Sequence, residues 1–125
     1  MTEPMLKRGD IVLVDLGDAP DEAEQQTSRM KGRRPALVIQ NNKQNKYATT
    51  TIILTMSTKP RAPHLAVKVT PEESGMDKDS YINVTNVISI DQNDIIKKIG
   101  KVRFGTEEMG RLNDALKVQL GLDGD

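Results

Sequence analysis

Apolar residues in this chain come in short clusters rich in Ile, Val and Thr, and a helical period appears only near the C-terminus. Short β-branched runs bounded by Gly, Pro and Asn read as strands, so the chain is limited to a small sheet of many short strands. Ile11 to Asp15 follows the turn pair Gly9-Asp10 as the first strand. Ala36 to Gln40 is the second, and Thr49 to Met56 the third, stopped by Ser57-Thr58-Lys59-Pro60. His64 to Val69 alternates well enough for a half-exposed fourth, with Leu65, Val67 and Val69 on one face. Asn41 to Ala48 and Pro71 to Asp79 read as polar turn regions, and Tyr81 to Ile90 supplies two short strands or one bent one. Asp91 is placed to cap a helical turn over Asn93 to Ile99, ended by Gly100, before a last short strand from Lys101 to Phe104. Thr106 then reads as an N-cap with Glu107 and Glu108 at the positive end of the helix dipole. Met109, Leu112, Leu116 and Leu120 recur at helical spacing, and Gly121-Leu122 fits a glycine stop. The expected architecture is mainly β with α: a strongly bent antiparallel sheet or small barrel with a C-terminal helix. With no internal repeat and no linker, residues 1–125 are expected to form a single domain.

Composition narrows the function. Tyr47, Tyr81 and Phe104 are the only aromatics, too few for a stacking platform under single-stranded nucleic acid. Eighteen cations balance eighteen carboxylates, so any attraction to a polyanion must be local. With no cysteine and His64 as the lone histidine, thiol chemistry is excluded and no ligand cluster for a catalytic metal is expected. No Gly-rich phosphate loop and no nucleophile elbow is present. No apolar run approaches the roughly 20 residues of a membrane span, and the first residues lack a signal-peptide stretch, so a soluble cytoplasmic protein is expected. Asp77-Lys78-Asp79 reads as an ordinary solvated turn.

One stretch stands out against this background. Lys31-Gly32-Arg33-Arg34-Pro35 sets three cations against a Gly and a Pro, directly before the aliphatic strand ending in Gln40-Asn41. A rigid arginine at the mouth of a core strand suits a phosphate; a charged loop before a core strand is the plainer alternative. The chemistry left to such a chain needs only cations, hydroxyls and a carboxylate. Metal-free RNA cleavage is one example, because the substrate's own 2′-hydroxyl is the nucleophile and the protein need only position, neutralise charge and move protons.

Lys7-Arg8-Gly9-Asp10-Ile11, Val14-Asp15-Leu16 and Arg34 to Asn41 together resemble the MazF/PemK family of toxin endoribonucleases. Asp79-Ser80, Ile90-Asp91, Leu112 to Leu116 and Leu120-Gly121-Leu122 continue the resemblance in order over nearly the whole chain. It implies an SH3-like β-barrel with a C-terminal helix and a homodimer. The implied activity is that of a type II toxin–antitoxin system: cofactor-free cleavage of single-stranded RNA, often mRNA. The ends would be 2′,3′-cyclic phosphate and 5′-hydroxyl, and a cognate antitoxin peptide would cover the RNA site. Carried over by position, Arg34 is the catalytic arginine, Ser57 takes the place of the catalytic threonine, and Glu24, beside Gln25, is the proton-transfer group. Candidate RNA contacts are Gln25, Lys31, Arg33, Asn41, Thr58, Lys59, His64 and Asn86, although Lys31, Arg33 and Lys59 fit a solvated basic rim equally well. The chain departs from the family in a longer, basic link from Gln26 to Arg33, in serine for threonine, and in Thr85-Asn86-Val87-Ile88 where an acid and a cation often stand. The rival expectation is a gyrase poison or catalytically weakened toxin on the same fold, the former acting through the helix from Thr106 to Leu120.

Overall fold

The fold is taken from a computed structural model, which describes residues 5–17, 32–60, 65–103, 105–122 and 124. Six strands, β1 (Asp10–Asp15), β2 (Arg33–Val38), β3 (Thr50–Ser57), β4 (Ala66–Val69), β5 (Ser80–Asp91) and β6 (Ile95–Lys101), make one antiparallel sheet ordered β4-β5-β3-β2-β1-β6. Among the described residues, three helices accompany it: α1 (Asn42–Tyr47), α2 (Pro71–Ser74) and α3 (Glu107–Gln119). The sheet curls without closing, since β4 and β6 end it as edges. The bent mainly-β architecture with a C-terminal helix is thus the one expected, with an open rather than a sealed barrel.

Both faces of the sheet are filled with aliphatic side chains. On one, Ile11, Leu37, Leu54, Met56, Ile82 and Val84 pack beneath Met109, Leu112 and Leu116 of α3, the helical stripe visible in the sequence. Removing each such Leu or Ile from water is worth about 1.5–3 kcal/mol, so this contact fixes α3 on the sheet. On the other face Val12, Val14, Ala36, Val38, Ile53 and Ile90 form a second cluster with Leu6. Ile88 of β5 and Ile95 of β6 both pack against it, although three strands separate β5 from β6 in the sheet. Only a curled sheet brings them to one cluster.

Two expectations needed correction. The helical turn over Asn93 to Ile99 is only a 3₁₀ turn, Gln92–Asp94, after which Ile95–Lys101 runs as β6 against β1. The cap itself was legible: the Asp91 carboxylate accepts from the Asn93 N–H at 2.8 Å. The Ile95, Ile96 and Ile99 spacing suits a helix, but pairing along β1, with two irregularities in register, supplies the backbone bonds instead. The strand expected from Lys101 to Phe104 shrinks to Lys101 at the end of β6, and Phe104 lies outside the described residues.

Helices α1 and α2 fall where only turns were read. In α1 the buried Asn45 takes the place of an apolar anchor. Its amide donates to the Gln40 carbonyl at 2.9 Å, and its oxygen accepts from Gln40 at 2.8 Å and from the Thr51 hydroxyl at 2.7 Å. A polar network closed in this way holds the helix with no hydrophobic period to betray it.

The ladder is interrupted in two places near the end of β3. The Ile39 N–H bonds to the Ile52 carbonyl at 2.9 Å, and the Val38 carbonyl faces β1 by accepting from Gly9 at 2.8 Å. In that alternation Pro35 turns its backbone nitrogen toward β3, and proline has no hydrogen to donate. The β2–β3 register accordingly starts at Ala36↔Thr55, leaving Arg34 and Pro35 beyond the ladder. Second, β5 bulges: Leu54 pairs with Val87 but Met56 with Ile82, so β5 spends five steps where β3 spends two.

Candidate active site

Continued past its last pair, the β2–β3 register would set Arg34 opposite Ser57 and Pro35 opposite Met56. The pairing stops short of both, and a pocket of about 380 Å³ is lined by Arg34, Pro35, Met56, Ser57 and Thr58. Met76, Asp77, Lys78 and Ser80 close it from the turn between α2 and β5. The volume lies within the range of small-ligand clefts, which run roughly 300–1,000 Å³. A guanidinium, an ammonium and a hydroxyl on one wall set suit a phosphodiester.

Ser57 closes β3, and its hydroxyl donates to the Lys59 carbonyl at 2.5 Å. The same oxygen accepts from the Asn83 amide at 3.1 Å. Asn83 is 2% exposed at the start of the β5 bulge, so the bulge aims a buried side chain at the serine. Farther along the bulge the Asn86 amide donates to Thr55 Oγ1 at 3.2 Å, away from the lining set. Arg34 is half-buried at the head of β2 and engages in contacts of its own.

Of the residues singled out from sequence, Arg34, Ser57 and Thr58 meet at this pocket. Arg33 is exposed beside them and opposite Asp15, and Lys59 follows in the turn that Ser57 closes. Asn41 lies past the other end of β2, seven residues and roughly 20 Å from Arg34 at strand spacing. There its side chain accepts from the Gln44 N–H at 2.8 Å and caps α1. Glu24, Gln25, Lys31 and His64 lie outside the described residues. Asp77 and Lys78 are the additions, and nothing in the sequence of that acidic turn distinguishes them from solvated charges.

Two of the wider depressions are poor rivals for a phosphate. A groove of about 550 Å³ carries Asp15, Asp91 and Asp94, whose charge repels it. Another of about 650 Å³ includes Lys46, Lys97 and Lys98, yet the Lys98 ammonium is held by Asp10 at 3.1 Å and by the Met5 carbonyl at 3.0 Å. Lys46 there stands over the Tyr47 ring, 5.4 Å from its centroid. Arg8, though buried enough that desolvation lowers its pKa, is a strut: it donates to the Ile39 carbonyl and to Asn113 of α3, each at 2.5 Å.

Fold and pocket together define a class of small curled-sheet proteins that present an arginine beside a strand-end hydroxyl. Residues 7–120 match the family of PemK-like, MazF-like toxins of type II toxin–antitoxin systems, and the chain belongs to that family. The protein of Staphylococcus saprophyticus named endoribonuclease MazF is 31% identical over 120 residues, spanning 94% of this chain and 93% of its own. Among solved structures, MazF of Deinococcus radiodurans has a TM-score of 0.73 at 15% identity, over 95% of this chain and 99% of that one. A mycobacterial endoribonuclease in complex with its cognate antitoxin has a TM-score of 0.69 at 20% identity, over 95% and 96%. At those identities the likeness is one of fold. No helix among the described residues is long and apolar enough to cross a membrane.

Proposed function

We propose that this chain is the endoribonuclease of a type II toxin–antitoxin pair, a cytoplasmic toxin that cleaves single-stranded RNA or mRNA at short sequences without a metal. The observation that carries this reading is the placing of Arg34 and Ser57 on one pocket of small-ligand size, in a chain of the MazF-like family. The RNA 2′-hydroxyl attacks the adjacent phosphorus, and the products are a 2′,3′-cyclic phosphate and a 5′-hydroxyl. Arg34 stabilises the charge that builds on the phosphoryl oxygens. Ser57, with Thr58 beside it, donates a hydrogen bond to that group, and Glu24 relays a proton. Arg33 and Lys59, with Gln25, Lys31 and His64, contact the strand on either side. A cognate antitoxin covers the same pocket with an extended segment, and the toxin works as a homodimer.

The test is incubation of purified protein with a long RNA in EDTA, followed by mapping of the ends. Discrete cuts with cyclic phosphates are expected, and Arg34→Ala should slow them at least about 10²–10³-fold, the size of losing one charge-stabilising group, with an unchanged melting curve. A variant that cuts at the parental rate overturns the role given to Arg34. The C-terminal end of α3 favours one alternative. Val118, Leu120 and Leu122 are exposed there, the surface a gyrase-binding toxin would use. Intact RNA together with inhibited gyrase would establish that reading instead.

A further inference from the structure

Cleavage through the 2′-hydroxyl needs a group that removes its proton, and that group must reach the pocket where phosphate binds. Among the described residues, Asp77 is the carboxylate lining the Arg34–Ser57 pocket, and Lys78 stands next to it. Their turn is held at several points. Met76 packs against the core beneath α3, and its N–H donates to the Ser74 hydroxyl at 3.1 Å. Ser80 is buried at the head of β5, and its hydroxyl donates to the Lys78 carbonyl at 3.3 Å. Asp79 is taken up by Lys68 at 3.4 Å, whereas Asp77 has no such partner among the described residues. The turn thus presents an uncommitted carboxylate and an ammonium on the same pocket as the guanidinium, on backbone fixed from both sides.

Resting on the endoribonuclease reading, we propose that Asp77 is the general base of the cleavage and that Lys78 binds the phosphate chain beside the scissile bond. The 2′-oxygen gives its proton to the Asp77 carboxylate as the 2′-O–P bond forms. The P–O5′ bond breaks, and the departing 5′-oxygen takes up a proton from solvent. Asp77 then returns its proton to water, so no oxidant, reductant or metal enters the step. Arg34 neutralises the phosphoryl oxygens throughout, and the ammonium of Lys78 adds a charge that binds substrate and product alike.

The proposal separates the two residues kinetically. In EDTA, with a labelled RNA, Asp77→Asn should lower kcat about 10²–10⁴-fold with KM within a few-fold, and the acid limb of the pH profile should vanish. Asp77→Glu should restore that limb and part of the rate. Lys78→Gln should instead raise KM and reduce the dependence of log(kcat/KM) on log salt by about one charge. Asp77 and Lys78 are both exposed, so all three substitutions should leave the melting curve unchanged. If the parent cuts RNA and Asp77→Asn cuts it as fast with the acid limb intact, this assignment is wrong and the endoribonuclease reading stands. The assignment is equally wrong if the limb disappears in Glu24→Gln but not in Asp77→Asn. If the parent leaves RNA intact, both readings fall together.

Discussion

Gly9 is where a single methyl group should do most damage for its size. Its φ of +98° is reached readily only by glycine, and an ideal Cβ there would stand 2.4 Å from the Val102 carbonyl oxygen and 3.3 Å from Met109 Cε. The backbone cannot simply step aside. The Gly9 N–H donates to the Val38 carbonyl at 2.8 Å, and the Gly9 carbonyl accepts from Val102 at 2.7 Å, tying β2 to the chain just after β6. Alanine at such a φ costs about 1–2 kcal/mol. Relieving the overlap stretches one or both hydrogen bonds, each worth about 0.5–1.5 kcal/mol, and pushes on Met109 in the core. Gly9→Ala should therefore lose about 3–5 kcal/mol, a large part of the 5–15 kcal/mol that holds a domain folded. Near 4 °C per kcal/mol at this length, that is about 12–20 °C in Tm, and in urea a midpoint lowered by more than about 1 M. Gly105→Ala is the control: its φ is +80° but nothing lies within 4 Å of the added Cβ, so only the conformational cost of about 1–2 kcal/mol applies. Paired urea melts decide it. If Gly9→Ala is no less stable than Gly105→Ala, the close approach to Val102 carries no weight.

Leu112 is wholly buried on the inner face of α3, and Leu112→Ala should cost about 2–5 kcal/mol, seen by calorimetry as a Tm lower by roughly 8–20 °C. Glu73 offers a pH-dependent case: the neighbouring Glu108 carboxyl of α3, as a donor when protonated, then bonds from the Thr70 N–H and hydroxyl, each at 2.9 Å, hold its carboxyl below the ordinary carboxylate range. A depressed folded pKa contributes stability above the unfolded value, near 4.3, and loses it as pH falls through the folded one. Melting curves of the parent and Glu73→Gln should therefore differ at neutral pH and converge as the solution is acidified below that range. A gap that persists in acid would contradict the link.

The strands were legible because burial on both faces of the sheet demands apolar, β-branched residues, and β1, β3 and the first half of β5 carry them densely. Helix α3 was legible for the complementary reason: one face packs and the other is wet, so Met109, Leu112 and Leu116 return at helical spacing. What stayed hidden was held by polar groups or decided by distant pairing. Helix α1 hangs on Asn45, Gln40 and Thr51, which a hydrophobic pattern does not register. β6 has helix-like isoleucine spacing and becomes a strand only because β1 lies beside it. Arg34 was marked by Pro35, and Ser57 through resemblance. Asp77 and Lys78 carry no local signal at all, since their place on the pocket depends on how α2 and the turn before β5 pack.

The pocket exists because the sheet fails there. A regular ladder between β2 and β3 would bury the backbone of Arg34 and Ser57 against each other and leave no room for a substrate. Pro35 withholds one of the two donors that would form the next pair, and the β5 bulge brings Asn83 to the serine at the end of β3. In the resting chain the Ser57 hydroxyl already has both roles filled: its proton on the Lys59 carbonyl, and a lone pair taking the Asn83 amide. It is therefore a self-capped strand end as it stands, and the phosphate role proposed for it requires exchanging the Lys59 carbonyl for a phosphoryl oxygen. Asn83 lets that exchange happen without moving the oxygen, because the buried amide holds Oγ in place while the proton swings. A charged phosphoryl oxygen makes a stronger acceptor than a neutral carbonyl, so the swap favours bound substrate over the empty site.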